Sequence, residues 1–314
     1  MNNQFETPVL FLIFNRPDTT QQVFNQIRQI KPKYLYVAAD GPRLDMLEEI
    51  EKCSETRSII KQIDWECELK TLFREKNLGC GLALSSAISW FFSCVDEGII
   101  LEDDCYPDLS FFSYCKELLF KYRIVENIMH IGGSNFQTGI IRGTGSYYFS
   151  NYNHIWGWAT WKRAWRNYDY EMKDFYPTFS SGRLDHVFQN KNEKNYWKNI
   201  FIKTASMQTN TWDYQWTYAN WKNNGVSITP NFNLVLNIGL NDNSSHAFLN
   251  DSFKKNRSLN DIQFPIKHPP LKIDFAADKF TFINTFSHSA NRLIRLFIEN
   301  GFIRIAKHVM KRFG

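Results

Sequence analysis

Three short apolar runs, each ending abruptly in charged or amide side chains, constrain this chain more than any other feature. They are PVLFLIF (8–14) before Asn15-Arg16, YLYVAAD (34–40) before Gly41-Pro42, and GIILEDD (98–104), which closes on three acids. A nearly continuous apolar run of this length fits a strand buried on both faces, the situation inside a parallel sheet covered by helices. Between the runs lie helical patterns. Pro17 can open a helix carrying Val23, Ile27 and Ile30. A charged helical stretch reaches about Ile63, ELKTLF (68–73) reads as a further strand, and LGCGLALSSAISWFF (78–92) as a helix behind a Gly-rich start. This alternation predicts an α/β fold with a mostly parallel central sheet and helices on both faces.

Past residue 104 the rhythm loosens. A helix over 109–123 and a strand NIMHIGG (127–133) are expected, then Gly- and aromatic-rich loops to about residue 165. Helices near 193–206 and 213–223 and short strands VSITP and FNLVLN follow. The polar, Pro-punctuated residues 251–285 read as a linker, and 286–314 as a basic amphipathic C-terminal helix. With 314 residues and 43% hydrophobic content, one large domain over 1–250 is expected, with halves 1–104 and 105–250.

Charge removes one class of function. The formal net charge is +5, and the tail beyond residue 286 holds six basic residues against the single acid Glu299. The remainder is therefore balanced, which speaks against a nucleic-acid-binding surface. Six cysteines between Cys53 and Cys115 form no C-x-x-C pair, as expected for reduced thiols in the cytoplasm. The N-terminus has no basic stretch ahead of its apolar run, and no run is long enough to cross a membrane. The tail has Phe302, Ile305, Val309 and Phe313 on one side and Arg304, Lys307 and Lys311 on the other. Such a helix can lie on an anionic membrane, here the inner face of the cell membrane, or dock on its own domain.

In α/β sheets ligands bind outside the carboxyl ends of strands. Asn15-Arg16, Asp40-Gly41 and Glu102-Asp103-Asp104 all fall there. Three adjacent carboxylates repel one another and are tolerable when solvated or neutralised by a cation. Mg²⁺ or Mn²⁺ takes one or two carboxylates and fills its other positions with water and phosphate oxygens. The plain alternative is a solvated turn before a helix, with Asp108 as its N-cap. Ten tryptophans, most between Trp156 and Trp221, add flat rings of the kind that suit sugar faces as well as cores.

Four blocks carry a resemblance: VLFLIFNRP (9–17), LALSSAISWFF…GIILEDDCYPDLSFF (82–112), HIWGWATWKRAW (154–165), and TWDYQWTYANW (211–221) followed by NIGLNDNSSHAF (237–248). In order and content they resemble the GT-A glycosyltransferase superfamily, within it the inverting N-acetylglucosaminyltransferases that start complex N-glycans and bacterial surface-polysaccharide transferases. The resemblance implies a GT-A fold, a UDP-sugar donor, Mn²⁺ or Mg²⁺, and a carbohydrate or lipid-linked saccharide acceptor. Residue by residue, it implies that Asp40 accepts from a uracil-type base and that Arg16 lies by the base or phosphates. Asp103 would face the ribose and Asp104 the metal of a DXD-type motif, with Glu102 hydrogen-bonding nearby. Asp213 would be the general base, and Ser245 and His246 part of a loop over the donor. Where that family has adjacent aspartates, this chain has Asp213-Tyr214-Gln215, so Asp213 is the acid there. It also reads as a first-turn acid favourable to the helix dipole. Trp156 and Trp158 are candidates to line the sugar or acceptor site, while Trp161 and Trp165 read as core. A sugar-1-phosphate nucleotidylyltransferase is the second enzyme reading, though FNRPDTT (14–20) lacks the Gly-rich phosphate loop expected after its first strand. A non-catalytic carbohydrate-binding protein on the same fold is the third.

Overall fold

The computed structural model describes residues 4–43, 45–239 and 258–287. Its first half builds four parallel strands, β1 (Val9–Ile13), β2 (Tyr34–Ala39), β3 (Glu68–Phe73) and β4 (Glu97–Glu102). Helices α1 (Pro17–Ile30), α2 (Leu47–Ser58) and α3 (Cys80–Cys94) connect them. Pro17 opens α1, where its missing N–H costs nothing, and Lys31 ends it in the left-handed region at φ 48°.

The second half contributes β6 (Ile128–Gly132), β7 (Tyr147–Ser150), β8 (Trp158–Trp161) and β9 (Val226–Pro230). The eight strands form one sheet in the order β3-β2-β1-β4-β8-β6-β9-β7. β8 runs antiparallel between β4 and β6, β9 is parallel to β6, and β7 is antiparallel to β9. The expected α/β architecture is what the chain adopts, parallel throughout its first half and mixed in its second.

Helices cover both faces because neighbouring strand residues point to opposite sides. Val9, Phe11 and Ile13 of β1 join residues of α1 and α4 (Leu109–Lys121) in one core. Leu10 and Leu12 join α3 and α8 (Asp213–Lys222) in another. Asp108 caps α4, its Oδ1 accepting the Ser110 N–H at 2.8 Å, as the sequence predicts. A third, aromatic core forms around Tyr152, Trp197 and Trp221, where α6 (Phe175–Ser180) and α7 (Lys191–Ala205) pack on α8.

Two expectations are corrected. The Gly- and aromatic-rich segment read as loops contains β7 and β8, two strands of the central sheet. Residues 258–287 are not a free linker. Ile262 and Ile266 enter the first core, Ile273 bridges to Phe149, and α9 (Phe275–Thr281) docks through a buried Asp278. That carboxylate accepts from Ser150 Oγ and from the Asn151 N–H and side-chain amide at 3.2 and 2.8 Å. The C-terminal helix expected over 286–314 falls almost wholly outside the described residues. Among the described residues no helix is long and apolar enough to cross a membrane, and all six cysteines are free thiols.

Candidate functional site

The strand directions place one set of chain segments on a single edge of the sheet. The carboxyl ends of β1, β2, β4, β6 and β9 lie there together with the start of antiparallel β8. Along this edge the residues past β1, β2 and β4 are charged, and those past β6 and β9 are amides and aromatics.

The acid triplet closes on Arg16. Its guanidinium pairs with Asp103 and, at 2.9 Å, with Asp104. Asp103 also accepts the Phe14 N–H at 3.3 Å, which ties the triplet to the end of β1. Burial works against the charge on Arg16, but Asp103 and Asp104 outweigh it and hold the pKa above its ordinary value. Burial raises the Asp103 carboxyl, with Arg16 pulling the other way. Glu102 is pushed furthest, well above the usual carboxylate range, by burial and then by the charges of Asp104 and Asp103. One arginine does not balance three ionised acids, and the raised Glu102 and Asp103 carboxyls relieve the excess negative charge.

Asp213 arrives from more than a hundred residues away. Its charge adds to the rise at Glu102. It also adds, after burial and Glu102, to the rise that pushes the Cys80 thiol up to about 12. Asp213 starts α8, and Thr211 Oγ donates to its Oδ1. The preceding turn is fixed to α3, because Asn210 Oδ1 accepts the Gly81 N–H at 2.9 Å. Gly79, at φ 79°, leads into α3 with no space for a side chain, since a Cβ would lie 2.7 Å from the Asn210 amide. Burial first and Asp213 second raise the phenols of Tyr196 and Tyr214. Sequence reading missed Asn210, Cys80 and these tyrosines; no local motif marks them.

Asp40 sits at the end of β2 with its carboxylate turned onto backbone. Its oxygens accept the N–H groups of Gly41 (2.9 Å), Leu78 (3.0 Å to each oxygen) and Gly79 (3.1 Å). It thereby braces the loop that begins α3, and a base approaching it would have to share these oxygens with the amides.

The tryptophans part company. Trp158 is fully buried, stacked on His130 and Trp212 with ring centroids 5.1 and 5.6 Å apart. It therefore belongs to the core with Trp161 and Trp165, not to a sugar site; its place on β8 between two flanking strands leaves no open face. Trp156, two residues earlier and off the strand, is half-buried and lines a cleft of about 120 Å³ with Phe136, Phe232, Asn233 and Asn237. Ser245 and His246 lie outside the described residues.

A hard divalent cation fits this corner by charge. Asp104 is only partly buried, and among the described residues its second oxygen meets the Cys105 thiol at 3.5 Å. Among the described residues no group of three His, Cys, Asp or Glu side chains converges as a complete ligand set.

No family model and no curated protein matches the sequence. Solved structures do show similarity. Apo-UDP-glucose pyrophosphorylase aligns at 11% identity and a TM-score of 0.37, covering 79% of this chain and 97% of that one. A cytidylyltransferase from Leptospira borgpetersenii aligns at 8% and 0.33, covering 66% and 75%. S. aureus TarS 1-349 aligns at 9% and 0.32, covering 51% and 48%. Scores this low assign neither an activity nor a fold family.

Proposed function

We propose that this protein is an inverting glycosyltransferase of the GT-A type, moving a sugar from a nucleotide-diphosphate donor, a UDP-sugar, to an acceptor hydroxyl. The observation that carries the reading is that Asp213, at the start of α8 and tethered to α3 through the Asn210–Gly81 bond, lies near enough to the acid triplet for its charge to act on Glu102. Inverting transfer is one in-line displacement. It needs a base on the acceptor hydroxyl and neutralisation of the departing diphosphate, from opposite sides of the donor sugar. In this reading Asp213 takes the acceptor proton, Asp103 holds ribose hydroxyls, and Arg16 turns toward phosphate oxygens. A divalent cation on Asp104 would supply Lewis-acid charge to the leaving diphosphate. Surface-polysaccharide or glycoconjugate synthesis is the setting that the sequence resemblance suggests.

A UDP-sugar panel with Mn²⁺, read as UDP release with and without acceptor glycans, tests the reading. Release should stop with chelator and in Asp104→Ala. Activity indifferent to both, or formation of a nucleotide-sugar from a sugar phosphate and UTP, would overturn it.

A further inference from the structure

The acid corner and Asp213 are held in place by different means. The corner is fixed by the sheet. Asp103 and Asp104 form the two-residue turn between β4 and the short strand β5 (Cys105–Pro107), and β5 pairs antiparallel with β10 (Val235–Asn237). Asp213 stands instead at the first position of α8. How far its carboxylate lies from the corner is decided by what holds the turn before that helix.

That turn is seated on the start of α3. The first N–H groups of a helix have no partner within it, and an N-cap side chain ordinarily accepts from the second or third of them. The N-cap of α3 is Gly79, which has no side chain. Asn210 takes over from 129 residues away: its Oδ1 accepts the N–H of Gly81, the second residue of α3, at 2.9 Å. The glycines on either side of Cys80 make this approach possible. A Cβ on Gly79 would lie 2.7 Å from the Asn210 amide nitrogen, and one on Gly81 would lie 2.7 Å from the Thr211 carbonyl oxygen. Beneath the seat, Asp40 accepts the N–H groups of Leu78 and Gly79, which braces it from the end of β2.

From the seat, position passes to the carboxylate through Thr211. The Thr211 carbonyl, close against Gly81, accepts the Gln215 side-chain amide at 2.9 Å, and its hydroxyl donates to Asp213 Oδ1. A donor on one oxygen restricts the rotation of the carboxylate. We infer that Asn210 is a positioning residue for Asp213, setting through Thr211 where that carboxylate stands relative to the acid triplet. The inference deepens the transferase reading and rests on it for the role of Asp213 as base, but the holding itself can be measured without it. Cys80 supplies the probe. Its exposed thiol is raised by burial, then by Glu102 and then by Asp213.

The full chain is assayed with Mn²⁺ and the UDP-sugar that the donor panel selects, and Cys80 is alkylated with iodoacetamide and followed by peptide mass spectrometry. Asn210→Ala should lower kcat about tenfold to a hundredfold, the scale of a misplaced reacting group, with donor KM and UDP affinity unchanged. Should its melting temperature fall, Thr211→Val, which exchanges a hydroxyl for a methyl at nearly constant shape, must show the same split. Asn210→Ala should also speed alkylation of Cys80 about threefold, since the thiolate is the reacting form and the charge of Asp213 opposes it. In an Asp213→Asn background the same substitution should leave the alkylation rate unchanged. Equal acceleration in both backgrounds, or none in either, overturns the inference. So does a rise in KM in place of the fall in kcat, or an unchanged kcat where Asp213→Asn loses activity. Full kcat in Asp213→Asn, or no transfer from any donor, overturns the transferase reading instead, and Cys80 alkylation alone then decides whether Asn210 holds Asp213.

Discussion

One edge of the sheet carries two unlike neighbourhoods. Past β1, β2 and β4 it bears Arg16, Asp40 and the three acids. Past β6 and β9 the described residues along it are amides and rings without a charge. Beneath them the packing differs in the same sense. In the parallel half β1, β2 and β4 are buried and mostly aliphatic while the edge strand β3 is largely exposed, and Trp158, Trp165, Trp212 and Trp216 crowd together in the core beneath the second half. The contrast teaches that one scaffold holds a charged and an uncharged surface side by side, with Asp213 brought to the charged one at the start of α8.

The sharpest way to break this comparison is to remove charge from the first neighbourhood. Asp213→Asn should lower kcat by about 10²–10⁴-fold, as expected for loss of a general base, while UDP still binds in calorimetry. A loss of UDP binding instead would make Asp213 a donor residue. Asp104→Ala should cost about 10²–10³-fold, the scale of one electrostatic group at a developing charge, read in single-turnover transfer.

Beneath the neutral half, Trp158→Ala should destabilise the fold by about 3–5 kcal/mol, the usual cost of emptying a large aromatic site, measured by urea unfolding. A small loss would mean that Trp158 is not the keystone of that core.

Acid should then separate the halves. His130 is held neutral, its Nδ1 accepting from the Trp216 indole N–H at 3.2 Å and its Nε2 facing the His154 carbonyl at 3.0 Å. Burial lowers its pKa to about 3, and burial with His130 lowers that of His154 to about 3. Between about 3 and 6.5 these two imidazoles bind more protons in the unfolded chain than in the folded one, so their contribution to stability rises with pH across that window, against the opposite contribution of raised carboxyls such as Asp103 and Asp278. It is complete above 6.5 and drains as pH falls. On acidification below 6.5 the urea midpoint of the wild type should fall relative to that of His130→Gln; an equal slope in both would assign the acid sensitivity elsewhere.

Legibility followed locality. The strands ending in Arg16, Asp40 and the acids were readable because each is a continuous apolar run with an abrupt polar stop. β7 and β8 were not, since strands of four residues amid glycines and aromatics show no period, and Trp158 looks the same whether it faces sugar or core. Residues 258–287 are polar and rich in proline, so their anchors Ile262, Ile266 and Asp278 carry no pattern. The bond from Asn210 to Gly81 spans 129 residues, and the cleft draws on four separate segments. Such meetings exist only after folding.

Arg16 has a consequence for how the protein meets its surroundings. By spanning Asp103 and Asp104 it supplies a counter-ion from within, so the corner draws less on dissolved salt for its neutrality. Partly buried pairs are screened far less than exposed ones. Changes in ionic strength should therefore be felt first by an arriving anionic ligand in solution, and only weakly by this corner at rest.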